Sequence, residues 1–215
     1  MRAIEAGYDV VGFDTDERRI KRLSIGDSYV EDVARPVLAA ALASGRYRPS
    51  TDEAQVADFD FGVITVPTPL TDGSPDLSHV EAACHVLARK LRRGACVVLE
   101  STTYPGTTEE LLLPILQQES GLLAGAEFHL GYSPERIDPG NPTFGLANTP
   151  KVVSGVNAAS LEAVKSFYDT LVEETVAVSG TREAELVKLM ENTFRHVNVA
   201  LVNELAMFAA DLDID

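Results

Sequence analysis

Val97-Val98-Leu99-Glu100-Ser101-Thr102-Thr103-Tyr104-Pro105-Gly106 opens as an apolar, β-branched run and breaks into hydroxyls, a proline and a glycine. A short apolar run of this kind reads as a buried strand. Thr107, Thr108, Glu109 and Glu110 follow, ahead of Leu111-Leu112-Leu113, and threonine with acids before an apolar run is how a helix begins. The stretch is therefore strand, polar turn, helix. In an open α/β sheet, ligands bind beyond the carboxyl ends of such strands. Taken alone, the same ten residues also suit an ordinary capped loop.

Outward from this stretch the alternation repeats. Upstream, residues 59–66 read as a strand that ends in the turn formers Pro67-Thr68-Pro69-Leu70-Thr71-Asp72-Gly73, and residues 76–92 read as a helix with Leu77, Val80, Cys84 and Leu87 on one face. Farther back, residues 3–7 are the last turns of a helix closed by Gly7, and residues 8–14 are a strand that ends in Asp14. Residues 15–23 form a short basic helix, 30–44 an alanine-rich helix closed by Gly45, 47–51 a short strand and 52–56 a short helix. Downstream, a helix over 107–118 stops near Gly121, and strands cover 127–132, 151–155 and 174–178. A helix fills 160–171, and a last, long helix runs from 181 to beyond 210. Strand and helix alternate throughout, which predicts an α/β fold: a doubly wound, mainly parallel, Rossmann-like sheet followed by a long connecting helix.

Bulk composition narrows the function. Across 215 residues, 45% are hydrophobic and 24% charged, as expected of a globular chain, and the formal charge of −15 disfavours nucleic acid and anionic membrane as partners. Any phosphate ligand then needs local arginines, lysines or backbone N–H groups. Two cysteines, Cys84 and Cys96, make neither a disulfide framework nor a metal set, and no metal site is expected. A reducing, cytoplasmic setting follows from that usage. No signal peptide is expected in residues 1–11, and no apolar run is long enough to span a bilayer.

The chemistry-bearing residues gather on the strand-end loops. Right-handed crossovers bring the loops at 66–73, 101–106 and 133–142 to one edge of the sheet. Glu135 beside Arg136, in a Pro-bounded loop, suits a positioned general base, and equally suits a solvated ion pair. On the last helix Lys188 and Asn192 lie four apart, with Glu185 one turn before, so the lysine and the amide share a face. Aimed into a cleft they would stabilise an oxyanion; aimed outward they are a solvated helix face. Cys84 and Cys96 read as core.

Taken in order, Gly12-Phe13-Asp14, Val66-Pro67-Thr68-Pro69, Glu100-Ser101-Thr102, Tyr132-Ser133-Pro134-Glu135-Arg136 and Glu185-Leu186-Val187-Lys188-Leu189-Met190-Glu191-Asn192-Thr193-Phe194 closely resemble the UDP-glucose/GDP-mannose dehydrogenase family. The resemblance implies NAD as cofactor and a UDP-sugar as substrate, its C6 alcohol oxidised twice to a carboxylate through an enzyme thioester. It implies that Asp14 holds the cofactor ribose with Arg19 nearby, and that Val66, Pro67, Thr68 and Thr102 line the cofactor. Thr102, or Thr103 if the longer turn shifts the register, and Glu135 would position the hydrolytic water, with Lys188 and Asn192 stabilising oxyanions. The Ser133-Pro134-Glu135-Arg136-Ile137-Asp138-Pro139-Gly140-Asn141 form is similar to the branch acting on UDP-N-acetylhexosamines. Asp138 is the nearest acid to that family's second glutamate. By the same resemblance, residues 1–179 are a NAD-binding domain lacking its first strand and glycine-rich loop, and 180–215 begin a helical domain that forms a homodimer. The family's reactive cysteine would lie beyond Asp215, making the chain an inactive piece truncated at both ends. A β-hydroxyacid-type dehydrogenase, which also pairs lysine and asparagine on a helix, and a non-catalytic binding module of the same fold are the competing readings.

Overall fold

The computed structural model describes residues 1–30, 32–137 and 143–214. A short helix, α1 (Arg2–Glu5), leads through Gly7 into β1 (Val10–Phe13). Helix α2 (Glu17–Ser24) is capped by Asp16, whose side chain accepts the Arg18 N–H at 2.9 Å. Helix α3 (Arg35–Ala43) starts five residues later than the alanine pattern predicts. Pro36 is the reason: it fits the first turn of a helix, where its missing N–H has no partner to lose, but not the interior. Strand β2 (Tyr47–Ser50) pairs in parallel with β1, and a short 3₁₀ turn, Glu53–Val56, follows.

The main sheet begins with β3 (Phe61–Ile64). The loop after it folds into a small hairpin, β4 (Leu70–Thr71) and β5 (Ser74–Pro75), around Asp72-Gly73. Both turn residues have positive φ, 53° and 80°, the backbone that a two-residue hairpin needs and that Asp-Gly supplies. Helix α4 (Ser78–Ala88), strand β6 (Cys96–Leu99), a π-helical turn (Thr108–Leu112) running into α5 (Leu113–Ser120), and strand β7 (His129–Tyr132) come next. Strand β8 (Lys151–Gly155), helix α6 (Ala158–Tyr168), strand β9 (Thr175–Ala177) and helix α7 (Thr181–Asp211) complete the chain.

The five-stranded sheet has the order β3-β6-β7-β8-β9. Strands β3, β6 and β7 are parallel, β8 runs against β7, and β9 follows β8. The sheet is thus mainly parallel, as the alternation predicts, with one reversal. Interior strand β6 shows why the sheet needs helices on both faces. Val97 and Leu99 point into a core with Val80, Cys84, Leu116 and Phe128, while Cys96 and Val98 point into another with Val164, Phe167 and Tyr168. Four consecutive buried apolar residues suit this two-sided position. The β1–β2 unit is tied on by Tyr8, whose ring meets Phe61 and Phe167 edge-on at 6.1 and 5.5 Å, and by the Arg2 guanidinium, which donates to the Leu171 carbonyl.

Gly131 lies where β7 meets its antiparallel neighbour, and a methyl group there would stand 2.1 Å from the Ser154 carbonyl oxygen and 2.7 Å from Val164 Cγ2. Both neighbours are locked in the sheet and in α6. Gly131→Ala should therefore lower the unfolding free energy by about 3 kcal/mol, read as a fall in urea midpoint at unchanged m-value.

Candidate functional site

The carboxyl ends of β3, β6 and β7 open on one edge, and hydrogen bonds tie their loops together. Ser101 Oγ donates to the Val66 carbonyl at 2.7 Å, and Thr68 Oγ1 donates to the Thr102 carbonyl at 2.8 Å. Pro67 is exposed between them, with Val66, Thr68 and Thr102 partly buried. Thr103 is buried, and its hydroxyl lies with that of Tyr132 inside the domain. Of the two threonines, Thr102 is the one open to the edge.

On the neighbouring sheet, Asp14 follows β1, its N–H donating to the Ser50 carbonyl at 3.2 Å. Its Oδ1 accepts the Asp16 N–H at 2.8 Å and its Oδ2 meets Arg19 Nη1 at 3.2 Å. A carboxylate has about four acceptor positions, so this one retains capacity for a pair of ribose hydroxyls.

The turn after β6 is held from outside its own helix. Glu185 of α7 is fully buried, and its carboxylate accepts the N–H of Gly106 at 2.6 Å, the N–H of Thr108 at 2.9 Å and the Thr108 hydroxyl at 2.7 Å. Gly106 adopts a φ of +105°, which aims its N–H at that carboxylate. Thr181 and Arg182 add contacts to Glu109 at 2.9 and 3.0 Å, and Arg182 reaches Glu110 at 2.8 Å. Unsatisfied N–H groups at a helix start favour an anion; here a side chain from another element supplies it. The sequence places Glu185 beside Lys188 and Asn192, but its carboxylate serves this turn.

One turn farther along α7, the Lys188 ammonium donates to the backbone carbonyl of Glu135. Burial pulls Lys188 below its ordinary pKa, while Glu135 and Glu191 pull it back up. Asn192 follows after another turn and is partly buried. Glu135 Oε1 accepts the Ile137 N–H at 2.6 Å, and Oε2 stands 3.9 Å from the ammonium of Lys151. Arg136 does not pair with its neighbour Glu135. Its guanidinium donates to Glu191 Oε1 at 2.8 Å and to the Pro150 carbonyl at 2.6 Å. The adjacent carboxylate and guanidinium, read as a pair in the sequence, thus serve different partners. Asp138 lies outside the described residues.

Sequence reasoning missed Lys151, whose buried ammonium also meets Glu100 Oε1 at 2.9 Å. The available signal was a lysine opening the otherwise apolar strand Lys151-Val152-Val153, since lysines are almost never fully buried unless paired. The cysteines sit where the apolar pattern put them. Both are buried, and burial raises each thiol to about 12.

A doubly wound sheet with an acid after β1 and stitched loops at the ends of β3, β6 and β7 is a Rossmann-type dinucleotide-binding domain. The chain belongs to the UDP-glucose/GDP-mannose dehydrogenase family: residues 1–172 match its NAD binding domain and residues 182–215 its central domain. NAD is the cofactor of this domain. The UDP-N-acetyl-D-glucosamine 6-dehydrogenase of Salmonella typhi is 40% identical over 218 residues, covering 99% of this chain and 50% of the relative. The solved UDP-D-ManNAc dehydrogenase of Pyrococcus horikoshii superposes with a TM-score of 0.91 at 34% identity, covering 98% of this chain and 50% of that one. A GDP-mannose dehydrogenase from Pseudomonas aeruginosa, solved as a ternary complex, gives 0.89 at 25% identity over the same shares. The chain spans about half the length of the curated relatives it matches.

Burial raises the Glu185 carboxyl above its ordinary value of 4.5, against the pull of the Thr108 and Gly106 hydrogen bonds. The native state then binds this proton more tightly than the unfolded chain. Its contribution to stability is full below the unfolded pKa and declines as pH rises through the native one. The stability of the native protein relative to Glu185→Gln should accordingly fall between about pH 4 and neutrality in urea unfolding. Glu185→Ala, which strands two N–H groups and a hydroxyl, should cost about 3 kcal/mol near pH 4, and that cost should shrink as pH rises in parallel with the Gln comparison.

Proposed function

We propose that this chain is the cofactor-binding half of an NAD-dependent nucleotide-sugar 6-dehydrogenase that oxidises the C6 alcohol of a UDP-N-acetylhexosamine to the uronic acid for surface polysaccharide precursors. Residues 1–179 are the NAD-binding module and residues 180–215 the start of the helical dimerisation domain, in a cytoplasmic enzyme. The observation that carries this reading is the Lys188 ammonium on the Glu135 carbonyl, at the edge where the Thr68 hydroxyl binds the Thr102 carbonyl. These two contacts involve four positions, one from each of four of the five sequence motifs. The identity to a UDP-N-acetyl-D-glucosamine 6-dehydrogenase supports the substrate class.

NAD supplies the hydride acceptor for each of the two oxidations. Asp14, with Arg19 beside it, accepts hydrogen bonds from the adenosine ribose, and Val66, Pro67, Thr68 and Thr102 border the cofactor. Lys188 and Asn192 stabilise negative charge that develops on the substrate oxygen. A cysteine thiolate captures the aldehyde, and the second oxidation leaves a thioester. Glu135 and Thr102 hold the water that attacks the thioester carbonyl. Glu135 takes a proton from that water as its oxygen adds to the carbonyl, the carbon–sulfur bond breaks to release the thiolate, and the carboxylic acid so formed loses its remaining proton to solvent. Neither Cys84 nor Cys96 suits the thiolate role, since both are buried and their thiols are raised to about 12.

These 215 residues alone should form no NADH above background with UDP-N-acetylglucosamine, UDP-N-acetylgalactosamine or UDP-glucose. A chain completed at both ends with a relative's segments should form it, and its Glu135→Gln variant should accumulate the thioester. Robust NADH from the short chain, abolished by Lys188→Ala, would overturn the reading.

The homodimer is part of the proposal. Leu186, Met190, Phe194, Val197, Leu201 and Leu205 recur along α7 at spacings of three and four and are all exposed. From Thr193 to Ile214 every residue but Ala209 is exposed, so the helix leaves the body of the domain with this stripe uncovered. Light scattering should find a dimer that Phe194→Glu with Leu201→Glu converts to monomer. A clean monomer of the unaltered chain at high concentration would count against it.

A further inference from the structure

Lys151 takes part in no step above, yet it is the most elaborately held cation among the described residues. Its side chain is 3% exposed. The ammonium lies 2.9 Å from Glu100 Oε1, donates to the Pro134 carbonyl at 3.2 Å, stands 3.9 Å from Glu135 Oε2 and sits 5.1 Å from the centre of the Tyr168 ring. Tyr168 in turn donates its hydroxyl to the same Glu100 oxygen at 2.5 Å. Burying an ammonium is unfavourable unless it is paired and hydrogen-bonded, and Glu100 with the tyrosine ring meets that need. The remaining two contacts both fall on the 134–135 segment.

Among the described residues Lys151 is the cation that forms an ion pair with the Glu135 carboxylate, while Lys188 reaches the backbone carbonyl of the same residue. The Glu135 side chain is 43% exposed, and Arg136 beside it is engaged by Glu191 and Pro150. Without Lys151, the Ile137 N–H is the one hydrogen bond left on the carboxylate among the described residues, and a half-exposed glutamate on one hydrogen bond samples several rotamers. A base must lie within hydrogen-bond reach of the proton it takes, so this orientation decides whether it can act.

We infer that Lys151 is a positioning residue for Glu135: anchored by Glu100 and Tyr168 in the core, its ammonium holds the 134–135 backbone and the Glu135 carboxylate against the strand-end edge. The role of Glu135 as base is the reading proposed above; its placement by Lys151 can be tested without activity. Because β8 runs against β7, its first residue reaches the edge where β6 and β7 end.

The test compares Lys151→Met, Lys151→Arg and the double variant Glu100→Gln/Lys151→Met. Removing the cation alone leaves the largely buried Glu100 carboxylate without its charge partner and lowers global stability; the double variant removes both charges and should recover most of it. Amide hydrogen exchange on the 215-residue chain then separates the roles. Positioning predicts that Ile137 exchanges about tenfold faster in the double variant than in the native chain, with the β6 amides of Val97–Leu99 unchanged as the measure of global opening. Lys151→Arg, which keeps charge and donors, should hold Ile137 protection near the native level. Native protection of Ile137 in the double variant would overturn the proposal, even if Lys151→Met fails to fold. In the completed enzyme, should it form NADH, the double variant should lose about tenfold in kcat with KM unchanged. A rise in KM with kcat unchanged would also overturn the proposal. Absence of NADH from the unaltered completed enzyme would tell against the functional reading and leave the exchange result to decide on Lys151.

Discussion

The buried carboxylate of Glu185 is the constraint on which the rest of the site depends. It closes the turn after β6 by accepting two N–H groups and a hydroxyl from residues 106–108, and it does so from α7, 77 to 79 positions away in sequence. That long-range cap fixes the rotation of α7 about its own axis. With Glu185 turned inward, Lys188 falls one turn on, over the 133–137 segment, and Asn192 one turn beyond that. The turn and the helix therefore cannot be adjusted independently. A hydrophobic contact of similar area would hold α7 against the sheet but would not select one rotation, because it has no directional donors to meet.

Beside this anchor the edge carries an alternating series of charges: Glu100, Lys151, Glu135 and, reaching the Glu135 backbone, Lys188. Two carboxylates and two ammoniums balance within a small volume at partial burial. The balance matters in a chain whose formal charge is −15, where an unpaired buried acid would meet repulsion from many directions. The inner members, Glu100 and Lys151, are the more buried, and the outer carboxylate is left open to the cleft.

Much of the fold was legible because its elements are locally encoded. Cys96–Leu99 is apolar on both faces, Gly45 and Gly121 adopt the left-handed backbone at helix ends, and the 3–4 spacing of α7 is long and regular. Positions that depend on distant partners were not. The reversal of β8 is set by pairing to β7 and leaves no mark in its own five residues. The Asp72-Gly73 hairpin did have a local signature, which the surrounding prolines obscured. At the site, residue types and spacing nominate Glu135, Lys188 and Asn192, and the family resemblance adds Thr102, but neither gives their partners. Arg136, adjacent in sequence, turns away from Glu135, while Lys151, sixteen positions on, turns toward it. Ion pairing is decided by where side chains meet in space, and sequence adjacency is a weak guide to that.

The exposed stretch of α7 gives the Glu185 anchor a mechanical meaning. From Glu185 to Asp211 the helix extends about 40 Å at 1.5 Å per residue, so it acts as a lever arm with its fulcrum in the strand-end turn. A tilt of about 5° at the fulcrum displaces the far tip by roughly 3 Å, comparable to the span of a hydrogen bond. Small errors at one end become large misalignments at the other. The rigidity of one buried carboxylate thus sets the tolerance to which anything built on the distal half of α7 can be placed.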